Sequence, residues 1–276
     1  MQMIKIHILQ TGMVSVDIGV PLAQPNPLAK TGWFRSEKHR VRLPVRAYLI
    51  EHPKGLILID TGWDIAQRAH SVKKHFGFLP ISYGDLPAGM AINEQLASLG
   101  YHPSDIDAVF LTHMDMDHAG GLQLVKEAKH IYASDLEIRD AQKIQYFYRY
   151  HKENWQNIPL QAFSFESSGI GPVGCSYDIF HDGSFVLVST PGHSHGLFSA
   201  VITGAEGYVI ICGDTGYMPK SWEELWLPGL TVDRKAAKRS LQWLQHKSKD
   251  EHCIAILATH DPAVQPKVID IQEDIK

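Results

Sequence analysis

Cysteine is scarce: Cys175, Cys212 and Cys253 are scattered through 276 residues, and no two form a CxxC pair. That argues against a disulfide framework and against a zinc site built on thiolates, leaving each cysteine as a small buried residue. Long apolar runs are missing as well. No stretch approaches the ~18 to 20 residues that span a membrane, and residues 1 to 10 lack the apolar core of a secretion signal. The expectation is a cytoplasmic protein with no membrane partner. Concentrated positive charge is also absent, with 26 Lys and Arg against 30 Asp and Glu, so nucleic acid is disfavoured as a partner. The one basic cluster, Arg234, Lys235, Lys238 and Arg239, falls on a predicted helix whose Ala237, Leu241 and Leu244 form an apolar stripe. It reads as that helix's solvated outer face.

Histidine, by contrast, is plentiful at 16 residues, and imidazole is the commonest transition-metal ligand. The stretch Thr112-His113-Met114-Asp115-Met116-Asp117-His118-Ala119-Gly120-Gly121 holds four potential ligands within six residues. It follows the apolar run 106–111 and precedes 122–128, as a strand, a tight turn and a helix start. His113 and Asp115 alternate as extended positions do and can face one ion. Asp117 and His118 come where the chain turns and can reach a second, as two-metal hydrolytic sites require. An acidic turn before a helix would alone explain Asp115 or Asp117; four ligands with distant partners need more than that.

Those partners come from a plan that occurs twice. Residues 45–51 and 56–59 flank His52-Pro53-Lys54-Gly55 as a hairpin ending in Asp60-Thr61-Gly62, a helix is predicted over 88–99, and the next strand delivers Thr112-His113. Later, 197–203 and 208–212 form a hairpin ending in Gly213-Asp214-Thr215-Gly216. A helix is predicted over 234–246 with Asp233 as N-cap, and strand 253–258 delivers Thr259-His260. Two such halves, about 1–130 and 180–276, bury their sheets against each other. The fold expected is α/β, a four-layer αββα sandwich of two mixed sheets in one domain over 1–276, with a segment inserted at about 135–180. Strand-end residues then meet along one sheet edge. Strand 185–189 adds His193 through the turn Thr190-Pro191-Gly192, and Asp214 at a buried strand end needs a compensating cation or dense hydrogen bonding. Residues 3–9 read as a first strand that ends at Thr11-Gly12, and residues 14–34, rich in Pro and Gly and carrying Trp33 and Phe34, either line a pocket or cross the surface, the surface being the expectation.

Collected, the candidate ligands are His113, Asp115, Asp117, His118, His193, Asp214 and His260. Their order and context resemble the metallo-β-lactamase fold family, whose pattern is His-x-His-x-Asp-His followed by a distant His, Asp and His. Tyr217 three residues after Asp214, His260-Asp261, and Thr190-Pro191-Gly192-His193-Ser194 narrow the resemblance to the N-acyl-homoserine lactonases of the quorum-quenching branch. The resemblance implies two divalent ions, a small-molecule ester or lactone substrate, and lactone opening by a hydroxide that bridges the ions. It implies a Tyr217 hydroxyl that hydrogen-bonds the lactone. Asp117 is placed to shuttle the proton. It also implies a substrate pocket built partly by the segment after the second metal motif, where Phe147, Tyr150 and Trp155 are the candidate contacts. Those aromatics, with Tyr146 and Tyr148 beside them, serve equally well to pack a helix on the core or to join a homodimer.

The departure is Asp115, where that family normally has His. Three carboxylates and one hydroxide cancel two divalent ions, where the usual site keeps one positive charge. The added oxygen donor raises the pKa of bound water and makes Mn or Fe suitable beside Zn. Rival readings remain a phosphodiesterase, a thioesterase, or a metal-containing sensor without turnover. A glyoxalase-II-like thioesterase is expected to carry a further helical domain, and 16 residues follow His260.

Overall fold

The computed structural model describes residues 3–26, 28–68, 81–147 and 149–272. Its first sheet is built from β1 (Met3–Asp17), β2 (Arg40–His52), β3 (Gly55–Ile59), β4 (Ser82–Asp85), β5 (Ala108–Phe110), β6 (His130–Ser134) and β7 (Leu160–Phe163). The second contains β8 (Glu166–Ser167), β9 (Cys175–Asp178), β10 (Phe185–Ser189), β11 (Phe198–Gly204), β12 (Gly207–Gly213) and β13 (Cys253–Ala258), and β14 (Val268–Gln272) returns to pair with β1.

Strand alternation builds the layers. Tyr48 and Ile50 of β2 and Val209 and Ile211 of β12 point between the sheets, where they join Ile4, Ile6, Phe110, Phe185 and Phe198 in one core. The intervening Ala47 and Leu49 face the opposite way, onto Ile92 and Leu96 of α1 (Ile92–Ser98). Ile210 and Cys212 likewise meet Leu241 and Leu244 of the long C-terminal helix, Arg234–Lys247. Helix, sheet, sheet, helix is the expected sandwich. The oxygen of Asp233 caps that last helix by accepting from the Lys235 and Ala236 amides, and Arg234, Lys235, Lys238 and Arg239 lie on its exposed side. No helix of the described residues is long and apolar enough to cross a membrane.

Two parallel pairings set the strand ends side by side. β3 runs parallel to β5 with Ile59 opposite Phe110, and β12 runs parallel to β13 with Ile211 opposite Leu257. Asp60 therefore exits next to Thr112-His113, and Asp214 next to Thr259-His260.

Several expectations are corrected. The first strand does not stop near Leu9 but runs to Asp17, because Gly12, at φ 109°, forms a bulge between Gln10 and Met13 after which pairing with β2 resumes. Residues 14–20 consequently bury valines instead of crossing the surface, while Trp33 and Phe34 are exposed as expected, Phe34 at 95%. Residues 135–180 are not set apart from the sheets: β7 edges the first and β8 and β9 edge the second. Cys175 and Cys253 are half-buried and only Cys212 is fully so.

After α1, helix α2 (Met116–Ala119) is a single turn that tightens into a 3-10 turn at Gly120–Leu124, where a longer helix was expected. Backbone contact forces this. A Cβ on Gly120 would stand 2.5 Å from the Asp64 amide nitrogen, and one on Gly121 only 2.2 Å from the Thr61 carbonyl oxygen. The Thr61 amide and hydroxyl both donate to the His118 carbonyl at 2.8 Å, locking the Asp-Thr-Gly loop onto α2. Gly121→Ala must separate these two loops, so denaturant unfolding should register a loss of about 3 kcal/mol or more.

Candidate metal centre

The seven candidate ligands converge at the common edge of the two sheets. His113 and His118 approach with ring centroids 3.9 Å apart, His113 and His193 at 4.9 Å, and His118 and His260 at 5.5 Å. Asp214 stands between two groups. Its Oδ1 is 3.3 Å from both His118 Nε2 and His260 Nε2, and its Oδ2 is 3.7 Å from His193 Nε2. Asp117 completes one group, 3.5 Å from His260 and 4.0 Å from His118. Asp115 completes the other, 3.6 Å from His113 and 3.0 Å from His193.

Each imidazole is oriented by its outer nitrogen. Nδ1 of His193 donates to the Leu230 carbonyl and Nδ1 of His260 to the Pro44 carbonyl, both at 2.8 Å. Nδ1 of His118 donates to Asp60 at 2.8 Å, and Nδ1 of His113 lies 3.0 Å from the Thr112 hydroxyl. A carbonyl only accepts, so His193 and His260 carry their proton on Nδ1 and turn the Nε2 lone pair inward.

That lone pair faces carboxylate oxygens, an arrangement needing either a second proton or a shared cation. The spacing fits a cation: ligand atoms about 2.1 Å from a tetrahedral ion lie about 3.4 Å from one another. His113 Nε2, His118 Nε2 and Asp214 Oδ1 are buried without a hydrogen-bond partner. Three groups, His113/His118/Asp214, His113/Asp115/His193 and Asp117/His118/His260, each bring ligand atoms within one ion's reach.

Ionisation follows from the same crowding. Burial disfavours the Asp214 carboxylate, but His260 and His118 outweigh it and hold its pKa well below the usual range. Burial likewise opposes charge on His118 and His260, yet Asp214, with Asp60 for the first and Asp117 for the second, raises both. His193 moves down, because burial and the guanidinium of Arg149 outweigh Asp115.

Residues 40–260 match the family model described as the metallo-beta-lactamase superfamily. The chain belongs to that superfamily. Among its relatives is the N-acyl homoserine lactonase AttM of Agrobacterium fabrum, 26% identical over 253 residues that cover 85% of this chain and 92% of AttM. Another is the N-acyl homoserine lactonase AiiA of Bacillus thuringiensis subsp. kurstaki, 26% identical over 80% of this chain and 82% of AiiA. The fold is similar to that of an N-acyl homoserine lactone hydrolase solved with N-hexanoyl-L-homoserine at its catalytic metal centre. That likeness has a TM-score of 0.78 at 23% identity, over 98% of this chain and 100% of the other.

Beside these candidate ligand groups opens a narrow cleft, floored by Asp115, Asp117, Asp214 and His260 and walled by Val14, Val16, Val20, Leu43, Ile81 and Leu230. Tyr217 borders it, 3% exposed and stacked on the His260 ring at 5.3 Å. Burial first, and then the Asp214 carboxylate, push its phenol pKa well up. Phe147, Tyr150 and Trp155 are elsewhere. Phe147 is 57% exposed, Tyr150 is buried with its hydroxyl on Glu137 at 2.8 Å, and Trp155 packs on the core outside the first sheet. Tyr148 lies outside the described residues.

Two site residues were not among the sequence candidates. Asp60, fully buried at φ 60°, accepts from the Thr112 amide and hydroxyl as well as from His118. Its match to Asp214 in the repeated plan was the available signal. Arg149, 2% exposed, grips both oxygens of Asp115 at 2.8 Å. Only the charge imbalance at Asp115 hinted at such a cation.

The titration directions fix a pH dependence. With no ion bound, raised His118 and His260 contribute stability that is complete below about pH 6.5 and fades as pH rises through their folded values. Depressed Asp115 and Asp214 contribute above about pH 4 and lose that on acidification. His193 opposes within the site, as do the depressed His52 and His151 outside it. A comparison that leaves those three unchanged isolates the raised pair: the chelated protein should exceed a chelated His118→Gln/His260→Gln variant in melting temperature by more at pH 6 than at pH 8. Stabilisation by added zinc should instead grow over that interval, since ligation needs neutral imidazoles. Melting curves of both proteins with chelator, and of the unaltered one with zinc, measure this at the two pH values, and the contrary result is a margin over the variant that widens at pH 8.

Proposed function

We propose that the chain is a dinuclear-metal hydrolase that opens a lactone ring, with N-acyl homoserine lactones as one substrate class. The carrying observation is the meeting of two ligand groups, a neutral buried phenol and an apolar wall around one cleft. Support comes also from relatives named as lactonases that align over most of this chain.

The site residues divide the work. His113, Asp115 and His193 would hold one ion, and Asp117, His118 and His260 the other, with Asp214 between them. When bound, the ions supply Lewis acidity and an activated water nucleophile. Tyr217, kept protonated by burial and Asp214, donates its hydroxyl to the oxygen on which charge develops. Asp117, 17% exposed at the cavity floor, accepts the proton of the attacking water on its carboxylate and returns it to the departing alkoxide. The valines and leucines of the wall shelter an acyl chain or ring from water. That lining favours a neutral ester over a phosphodiester. The additional oxygen donor at Asp115 suits Mn or Fe beside Zn.

Proton release in weak buffer tests the reading, with protein reconstituted with Zn, Mn or Fe(II) and offered acyl-homoserine, aromatic and aliphatic lactones. Metal-dependent opening of one class supports it. Two bound ions with no turnover of any lactone would overturn it. Tyr217→Phe should lower turnover about 100-fold, the scale of one lost oxyanion donor, with metal content unchanged by elemental analysis.

A further inference from the structure

Arg149 lies at the centre of a buried array that holds one side of the metal centre. Its Nε and one terminal nitrogen donate to Oδ1 and Oδ2 of Asp115, both at 2.8 Å, and the other terminal nitrogen donates to the His193 carbonyl at 2.7 Å. The next residue, Tyr150, donates to Glu137 Oε1 at 2.8 Å, and Glu137 also accepts the amides of Met114 and Gly196 at 3.1 and 3.2 Å. The guanidinium therefore cannot swing away. It is clamped between the turn bearing His113 and Asp115 and the turn bearing His193.

The two ligand groups are not equivalent as a result. Among the described residues no lysine or arginine pairs with Asp117, which stands 3.5 and 4.0 Å from two imidazoles that an ion can take as fellow ligands. Asp115 has a lone pair on each oxygen already directed at a fixed cation 2.8 Å away, and a metal there must share that carboxylate with a positive charge. Charge repulsion and competition for the oxygen both weaken that half.

We propose that Arg149 is a positioning residue that makes the centre asymmetric. One divalent ion is held tightly by Asp117, His118, His260 and Asp214, and the second is held more weakly by His113, Asp115 and His193. The Asp115–Arg149 pair carries no net charge, as a neutral imidazole would, so the centre with both ions keeps the single positive charge that Asp115 alone would remove. The pair also preserves the ligand geometry when the weaker ion leaves. This rests on the metal-centre reading above.

Competition of the chelator-stripped protein against a chromophoric zinc chelator, with total metal counted by elemental analysis, tests it. The unaltered protein should take two equivalents whose affinities differ at least tenfold. Arg149→Met should strengthen the second equivalent roughly 10- to 100-fold, the usual reach of a residue contacting a ligand, and leave the first unchanged. Loss of a merely structural arginine would weaken binding, so the direction distinguishes the roles. Asp115→His alone should lose the second equivalent, because Arg149 is left beside an imidazole and an ion, and Asp115→His/Arg149→Met together should regain it. If Arg149→Met does not fold, Arg149→Lys serves, since it keeps the charge but releases one oxygen; a several-fold gain at the second step is expected. Equal affinities in the unaltered protein, or no gain at the second step in either Arg149 variant, would overturn the proposal while leaving a metal centre in place. No bound zinc at all would overturn the metal-centre reading beneath it.

Discussion

The constraint on which the structure depends is the burial of carboxylates and imidazoles together at the edge where two sheets meet. Asp60 and Asp214 lie almost wholly out of water, with His113, His118, His193 and His260 around them. Leaving such groups unpaired in a low-dielectric interior costs several kcal/mol each. The fold meets part of that cost itself, through Thr112 and His118 on Asp60 and Arg149 on Asp115. It does not meet all of it, for Asp214 Oδ1 and two Nε2 atoms remain without partners. What is left over is the shape of a cation site. The parallel pairings of β3 with β5 and β12 with β13 exist in this view to bring carboxylate and imidazole to the same end of each sheet.

Much of this was legible because strand ends are legible. Hydrophobic alternation placed the hairpins and the strands before His113 and His260 close to their observed bounds, since two buried faces leave a sheet strand little freedom in register. The ligand cluster followed from ligand chemistry concentrated at those ends. Local signals failed where tertiary pairing overrode them. Gly12 reads as a terminator and is a bulge, because β2 and β4 supply partners on either side of β1 beyond it. Gly120 and Gly121 read as ordinary turn residues, yet their lack of side chains is what lets α2 touch the Asp-Thr-Gly loop.

Residues 135–165 show the limit most clearly. The resemblance pointed to a substrate pocket there, with core packing or a dimer contact equally open, and Tyr150 packs in the core, where it matters through its hydroxyl on Glu137 and not through contact with the cleft. Apolar character says that a side chain is buried somewhere; it does not say against which surface. The cavity wall comes instead from Val14, Val16 and Leu43 on β1 and β2, whose alternation looked like any strand's. Arg149 left no pattern at all, because a single arginine acquires meaning only from the carboxylate it meets 34 residues away in sequence.

That pairing changes what Asp115 signifies. Taken alone, a carboxylate in place of imidazole lowers the charge of the centre by one, which would dull its Lewis acidity. With Arg149 forked onto both oxygens, the far-field charge is restored and the remaining difference is local: the ligand is shared, not added. The connection from β6 to β7, a parallel crossover within the first sheet, delivers this arginine. The segment that adds the sheet's last strand is thus also the element that sets the charge at one half of the ligand-bearing edge. A substitution in that connection far from any ligand can therefore alter metal occupancy without touching a ligand atom, by moving Glu137 or Tyr150 and loosening the grip of Arg149 on Asp115.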